Sequence, residues 1–211
     1  MARPKGDSSV TEARRIEILK AAFEVFAKNG YRGGSLAQIS EIVGITEAGI
    51  LHHFKSKANL LIEVLTYRDE VAADTMGVTE NSGIDFVTAW LDLIDFNISI
   101  PGIVELYCIV SAEAAAADHP AHEYFKNRYE YVINVTTTAM KKIHDDGYMR
   151  QDLDPVDLGR ALIALSDGLQ VQWLLDRKWD MIDEHKSFFR RVLTDEGAKL
   201  TGLSLKEKVT A

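Results

Sequence analysis

Apolar residues recur every three or four positions along almost the whole chain, a period that predicts helices joined by short breaks. A first helix is expected to open at Ser9, with Glu12 completing a capping box. It would bury Ile16, Leu19, Phe23 and Phe26 and end at Gly30. The next segment, Leu36 to Lys57, reads LAQISEIVGITEAGILHHFKSK. Its apolar positions, Leu36, Ile39, Val43, Ile45, Ile50 and Phe54, converge on one side of two short helices. Gly44 falls where the chain must turn, because glycine takes the left-handed conformation without steric cost. Ser35 with Gln38 forms a capping box for the first of the two helices, and Thr46 caps the second. Two short helices set about a glycine form a unit suited to entering a DNA groove.

Ser56 is expected to cap a fourth helix carrying Leu60, Leu61, Val64, Leu65 and Val71. Ser82 and Asp85 offer the next helix start. Further helices are expected near 84–99, 102–117, 120–146, 155–178 and 184–200, with Asp154-Pro155 the cleanest boundary: aspartate caps and proline presets the first turn. The tail after Gly202 is lysine-rich and expected to fray. No alternating strand pattern or internal repeat emerges, so the expected fold class is all-α.

Composition bears on compartment and partner. The single cysteine, Cys108, excludes an internal disulfide and a cysteine-rich zinc site, and points to a reducing cytoplasm. The polar start MARPKGDSSVTEARR does not resemble a signal peptide. No apolar run approaches the roughly 18 residues of a membrane span, so no membrane partner is expected. Net charge is −8, unfavourable for a nucleic-acid binder, but it is unevenly distributed. Residues 1–57 hold nine Lys/Arg against six Asp/Glu, and the remainder fifteen against twenty-six. An acidic body on a basic end would leave only that end against a duplex.

The segment from Thr11 to Leu61 resembles the DNA-binding head of the tetracycline-repressor (TetR) family of bacterial one-component regulators. The resemblance rests on Arg14 or Arg15, Ile18, Ala21, Ala22, Phe26, Gly30-Tyr31, Ser35, Ile39, Gly44, Ile45, Thr46, Phe54, Ser56-Lys57 and Leu60-Leu61. It implies a three-helix helix-turn-helix head over 9–57 and a larger helical effector-binding and dimerisation body over 58–202. The implied protein is a homodimer on a double-stranded DNA operator, probed by a small-molecule effector. Three positions depart from the common pattern: Ser40 for alanine, Ala48 for glycine, and Leu51 for a tyrosine that commonly touches the DNA backbone. Leucine donates no hydrogen bond to phosphate, so His52 and His53 are the expected substitutes.

The DNA-binding candidates are Ser35, Thr46, Glu47, Gly49, His52, His53 and Lys57. Hydroxyls at helix starts and a lysine suit phosphates, whereas Glu47 can accept from a cytosine amino group or simply complement the helix dipole. His52 and His53 are either DNA contacts or surface imidazoles. Arg3 and Lys5 either reach the minor groove or form a solvated tail. Phe86, Trp90, Phe96, Tyr107, Phe125, Tyr129 and Trp173 are the ligand-binding candidates; aromatic stripes are usually core, but they suit an apolar or aromatic effector. Asn97, Glu113, His122, Asn134 and Gln170 are candidates for its polar part. His119, His122 and Glu123 lack the spacing of a helical zinc site, so no metal or cofactor is expected.

Leu158, Leu162, Leu165, Leu169 and Trp173, with Phe188, Phe189, Val192, Leu193 and Leu200, supply two amphipathic helices for a four-helix bundle with a symmetry mate, or for packing within one chain. The expected function is ligand-responsive transcriptional regulation, with repression released by the effector. The alternatives are a helical enzyme, for which no catalytic constellation is legible, and an architectural DNA binder without effector.

Overall fold

A computed structural model describes residues 6–77 and 83–203, and every element in it is helical. Arg3, Lys5, Ser82 and the tail from residue 204 lie outside the described residues. The helices are α1 (Gly6–Gly33), α2 (Leu36–Val43), α3 (Glu47–Phe54), α4 (Lys57–Met76), α5 (Asp85–Ser99), α6 (Pro101–Ala114), α7 (His122–Asp145), α8 (Pro155–Leu175), α9 (Met181–Val192) and α10 (Asp195–Leu200). Among the described residues no single helix is long and apolar enough to cross a membrane.

Contacts divide the chain into two compact units. The first joins the chain up to Val71 with Ile100–Lys126; the second joins Ala72–Ser99 with the chain from Asn127. The functional division expected after Lys57 is therefore a different line from the one drawn by packing. In the first unit α6 lies along α1, and α2 packs on α1 and α3. Ile18, Ala22, Phe26, Ile39, Ile50, Leu60, Leu61, Leu65 and Leu106 are wholly buried there. In the second unit α9 packs on α5 and α8. Its inward face repeats at helical spacing through Met181, His185, Phe189 and Val192, all buried.

Several boundaries differ from the sequence pattern; α6 and α8 stop at Ala114 and Leu175, three residues short of the expected 117 and 178. The helix expected from Ser9 is already formed at Gly6, so Ser9 lies within it. Gly30 does interrupt α1, at φ 67° and ψ −177°, but one more turn follows as far as Gly33. The helix expected over 184–200 begins earlier, at Met181 behind its cap Asp180, and is broken in two. The break arises because Leu193 and Thr194 turn their backbone toward residues 148–150. Arg150 N–H donates to the Val192 carbonyl at 3.0 Å, and Thr194 N–H donates to the Tyr148 carbonyl at 2.9 Å. Thr194 then caps α10 through the Gly197 N–H. Gly197 is required for space: a β-carbon there would sit 2.5 Å from the Tyr148 carbonyl oxygen.

Most apolar residues expected to face a symmetry mate are used within the chain. Leu162, Leu169, Trp173, Phe189, Val192 and Leu193 are buried here, because α8 and α9 pack on each other and α9 on α5. Outward on α8 stand Ala161, Ala164, Gly168, Val171 and Leu175, at alternating spacings of three and four. Val171 is 49% exposed and Leu175 84%.

Candidate nucleic-acid interface

Both short helices of the head are capped as the residue types demand. Ser35 Oγ accepts the Gln38 N–H at 3.2 Å, and Gln38 Oε1 accepts the Ser35 N–H at 2.9 Å. Each end thus satisfies an amide that the first turn leaves unpaired. At its other end α2 closes on Gly44, φ 72°, whose N–H donates to the Ser40 carbonyl. Among the described residues nothing lies within 4 Å of a β-carbon at Gly44, so glycine is there for its backbone conformation and not for space. Thr46 Oγ1 accepts the Gly49 N–H at 3.1 Å and opens α3.

Ile50 and Phe54, at 0% and 1% exposure, anchor α3 inward. The Arg15 guanidinium lies 4.8 Å from the Phe54 ring centroid and pairs with the Glu63 carboxylate, so α1, α3 and α4 meet at one side chain. The opposite face of α3 is exposed and comprises Glu47, Ala48, Leu51 and His52, with Lys55 just past its end. Lys55 is a non-glycine residue at φ 63°; its N–H donates to the Leu51 carbonyl at 2.8 Å and terminates the helix.

The seven sequence candidates are therefore not equivalent. Thr46, Glu47 and His52 are exposed, whereas Ser35, Gly49, His53 and Lys57 are half-buried. The hydroxyls of Ser35 and Thr46 and the Gly49 amide are already engaged in caps. The Lys57 ammonium lies 4.4 Å from the Tyr31 ring centroid; burial pushes its pKa down and the Glu113 carboxylate opposes that shift. Ala48, Leu51 and Lys55 were not among the candidates, and the signal for them was the helical spacing 47, 48, 51, 52, 55.

The head is also tied to α6, through a residue expected to face an effector. Glu113 accepts the Tyr31 N–H at 2.7 Å and the Arg32 N–H at 3.3 Å. These amides follow Gly30, where the helix breaks and frees them, so the carboxylate caps the last turn of α1 from another helix. His119 stands edge-on to Tyr31, with centroids 5.1 Å apart, and its Nε2 is 3.7 Å from Glu113. Burial lowers the His119 pKa despite that carboxylate. His119 Nδ1 accepts the Ala121 N–H and His122 Nδ1 hydrogen-bonds the Ala114 carbonyl oxygen, so both imidazoles hold the α6–α7 connection.

The ligand-binding candidates fall in both units. In the first, Tyr107 packs edge-on against Phe125 at 6.2 Å, and its hydroxyl donates to Asp69 at 2.8 Å. Tyr124 donates to the same carboxylate. In the second unit lie Phe86, Trp90, Phe96, Tyr129 and Trp173. Trp90 is 7% exposed, stacks at a tilt on Phe86 with centroids 5.6 Å apart, and has a buried Nε1–H without a hydrogen-bond partner among the described residues. Beside it is fully buried His185, whose pKa burial pushes down. The ring donates Nδ1–H to the Met181 carbonyl and its Nε2 hydrogen-bonds the Ser166 hydroxyl, both at 2.8 Å. Tyr129 hydrogen-bonds Asp167, whose carboxyl pKa is raised by burial, and the Arg177 guanidinium covers the Trp173 ring at 4.6 Å.

Comparisons with known proteins agree with this geometry. The family model described as "Bacterial regulatory proteins, tetR family" matches residues 18–64, which contain α2, α3, the later part of α1 and the start of α4. The chain is 26% identical over 187 residues to the HTH-type transcriptional repressor KstR2 of Rhodococcus jostii, covering 81% of this chain and 84% of that protein. A TetR-family transcriptional regulator from Agrobacterium tumefaciens superposes with a TM-score of 0.75 at 18% identity, over 87% of this chain and all of that one. A transcriptional regulator from Saccharomonospora viridis, solved in complex with choline, gives 0.71 at 21% identity over 87% and 98%.

Proposed function

The chain belongs to the tetR family of bacterial regulatory proteins, and from that premise we propose that it is a cytoplasmic homodimeric repressor released from its DNA operator by a small apolar or aromatic effector. The observation that carries the reading is the doubly capped α2–Gly44–α3 unit, which presents one exposed face of α3 on a buried Ile50–Phe54 anchor. A helix held this way can lie in the major groove while Ser35, Thr46 and Lys57 meet the backbone, and Glu47, His52 and His53 meet base edges or phosphates.

One head makes too few base contacts for a specific site, so two copies are required, with heads about 34–36 Å apart to meet successive major grooves. The outward stripe Ala161, Ala164, Gly168, Val171 and Leu175 on α8 supports that pairing. Among the described residues no neighbouring group comes within 4 Å of a β-carbon at Gly168, so packing there does not require glycine in mid-helix, where it costs about 1 kcal/mol relative to alanine. A second copy of α8 crossing closely there supplies the reason.

For the effector we place weight on Phe86 and Trp90, whose buried N–H lacks an acceptor among the described residues. An apolar molecule carrying one acceptor oxygen would satisfy it, with Phe96, Tyr129 and Trp173 of the same unit as further candidates. The effector acts only through differential affinity for two head arrangements; a 100-fold release requires about 2.7 kcal/mol of it.

Selection from a random duplex library at low salt is the test. Recovery of a two-fold symmetric site is expected, and enrichment of no sequence would overturn the proposal. Thermal-shift screening separates an effector-responsive regulator, which some apolar compound stabilises, from an architectural DNA binder, which none does.

A further inference from the structure

We propose that Leu51 is a specificity-determining residue that reads the 5-methyl group of a thymine in the major groove. The inference rests on the DNA-binding function proposed above. Leu51 is 36% exposed, on the same face of α3 as Glu47, Ala48 and His52, and is the only large aliphatic side chain on that face. The inward anchors of the helix are instead Ile50 and Phe54, at 0% and 1% exposure, which leaves the uncovered part of Leu51 facing outward. Its backbone is fixed, because the Leu51 carbonyl accepts the Lys55 N–H that ends α3.

Thymine alone among the four bases presents a methyl group in the major groove, and an apolar side chain is the group that discriminates it. The first turn of α3 suits a close approach: Ala48 and Gly49 carry the smallest side chains, so the helix can sit deep before Leu51 meets the base edges. Leu51 follows Glu47 by four residues, about 6 Å along the helix axis, or roughly two base steps. A half-site is therefore expected to carry the methyl-sensitive thymine within about two steps of any cytosine that Glu47 reads.

The test replaces each thymine of the selected site in turn by deoxyuridine, which removes only the methyl group, with binding followed by fluorescence anisotropy. Wild type is expected to lose about four-fold in affinity at one position per half-site, the equivalent of one apolar group left in water, and about fifteen-fold when both half-sites are changed. Leu51→Ala is expected to bind thymine and deoxyuridine sites equally. Its unfolding temperature should fall by only a few degrees, since Leu51 is partly covered but alanine favours helix. If Leu51→Ala binds too weakly to titrate, Leu51→Met must retain the methyl discrimination, and its loss there counts against the proposal. Equal binding by wild type at every position, or discrimination that persists in Leu51→Ala, would overturn it. Failure to select any site at all would instead overturn the DNA-binding reading.

Discussion

Gly30→Ala probes the junction on which the end of the head is built. Gly30 occupies φ 67° and ψ −177°, a region essentially confined to glycine, and forcing a β-carbon into it costs about 1–3 kcal/mol. That β-carbon would also lie 2.8 Å from Glu113 Oε1 and 3.0 Å from Ile109 Cγ2. The carboxylate must then withdraw from the Tyr31 and Arg32 amides, and a hydrogen bond to a charged group is worth about 1.5–3 kcal/mol. The summed loss is about 2.5–6 kcal/mol, a large part of the stability of an ordinary domain. At about 2–4 °C per kcal/mol for a chain of this size, the melting temperature should fall by roughly 5–25 °C. Urea and thermal unfolding at one fixed protein concentration measure it, since association would otherwise shift the midpoint. A double-mutant cycle isolates the cause: Glu113→Ala removes the group that the new β-carbon strikes, so the double variant should be less destabilised than the sum of the two. A loss under about 1 kcal/mol, or strict additivity in the cycle, would refute the reasoning.

Two further outcomes follow from particular side chains. Burial depresses the His185 pKa below its ordinary 6.5, so the unfolded chain binds a proton there before the folded one does. Stability should therefore decline as pH falls below about 6.5, and the decline should be shallower in His185→Gln. Asp167, raised from 3.8 by burial, contributes with the opposite sign and at lower pH; urea midpoints across pH 4–8 resolve both, and an unchanged slope in His185→Gln would refute the assignment. At the proposed dimer face, Gly168→Leu should leave helix content intact, because Gly168 is exposed and no neighbouring group among the described residues lies within 4 Å of a β-carbon there, while shifting sedimentation from dimer to monomer. A dimer that persists unchanged would place the interface elsewhere.

Helical period, the two caps and Gly44 are local properties, so the α2–α3 unit and the all-α class could be read from the chain itself. Ser35 with Gln38 and Thr46 with Gly49 form their hydrogen bonds across three residues, and no tertiary contact is needed to anticipate them. Partners distant in sequence were not legible. Glu113 reads as a polar residue on a body helix, and only the packing of α6 on α1 brings it to the amides freed at Gly30, more than eighty residues away. Apolar positions on α8 and α9 told that these helices bury something, but not against what, since a periodic stripe has the same form whether its cover is the same chain or another. Tertiary structure assigned Leu162, Trp173 and Phe189 to the interior and left Val171 and Leu175 outward. The same division holds at the recognition helix: its existence is written in spacing and caps, whereas which residues remain exposed, Leu51 among them and Gly49 only in part, was decided by what Ile50, Phe54 and Arg15 pack against.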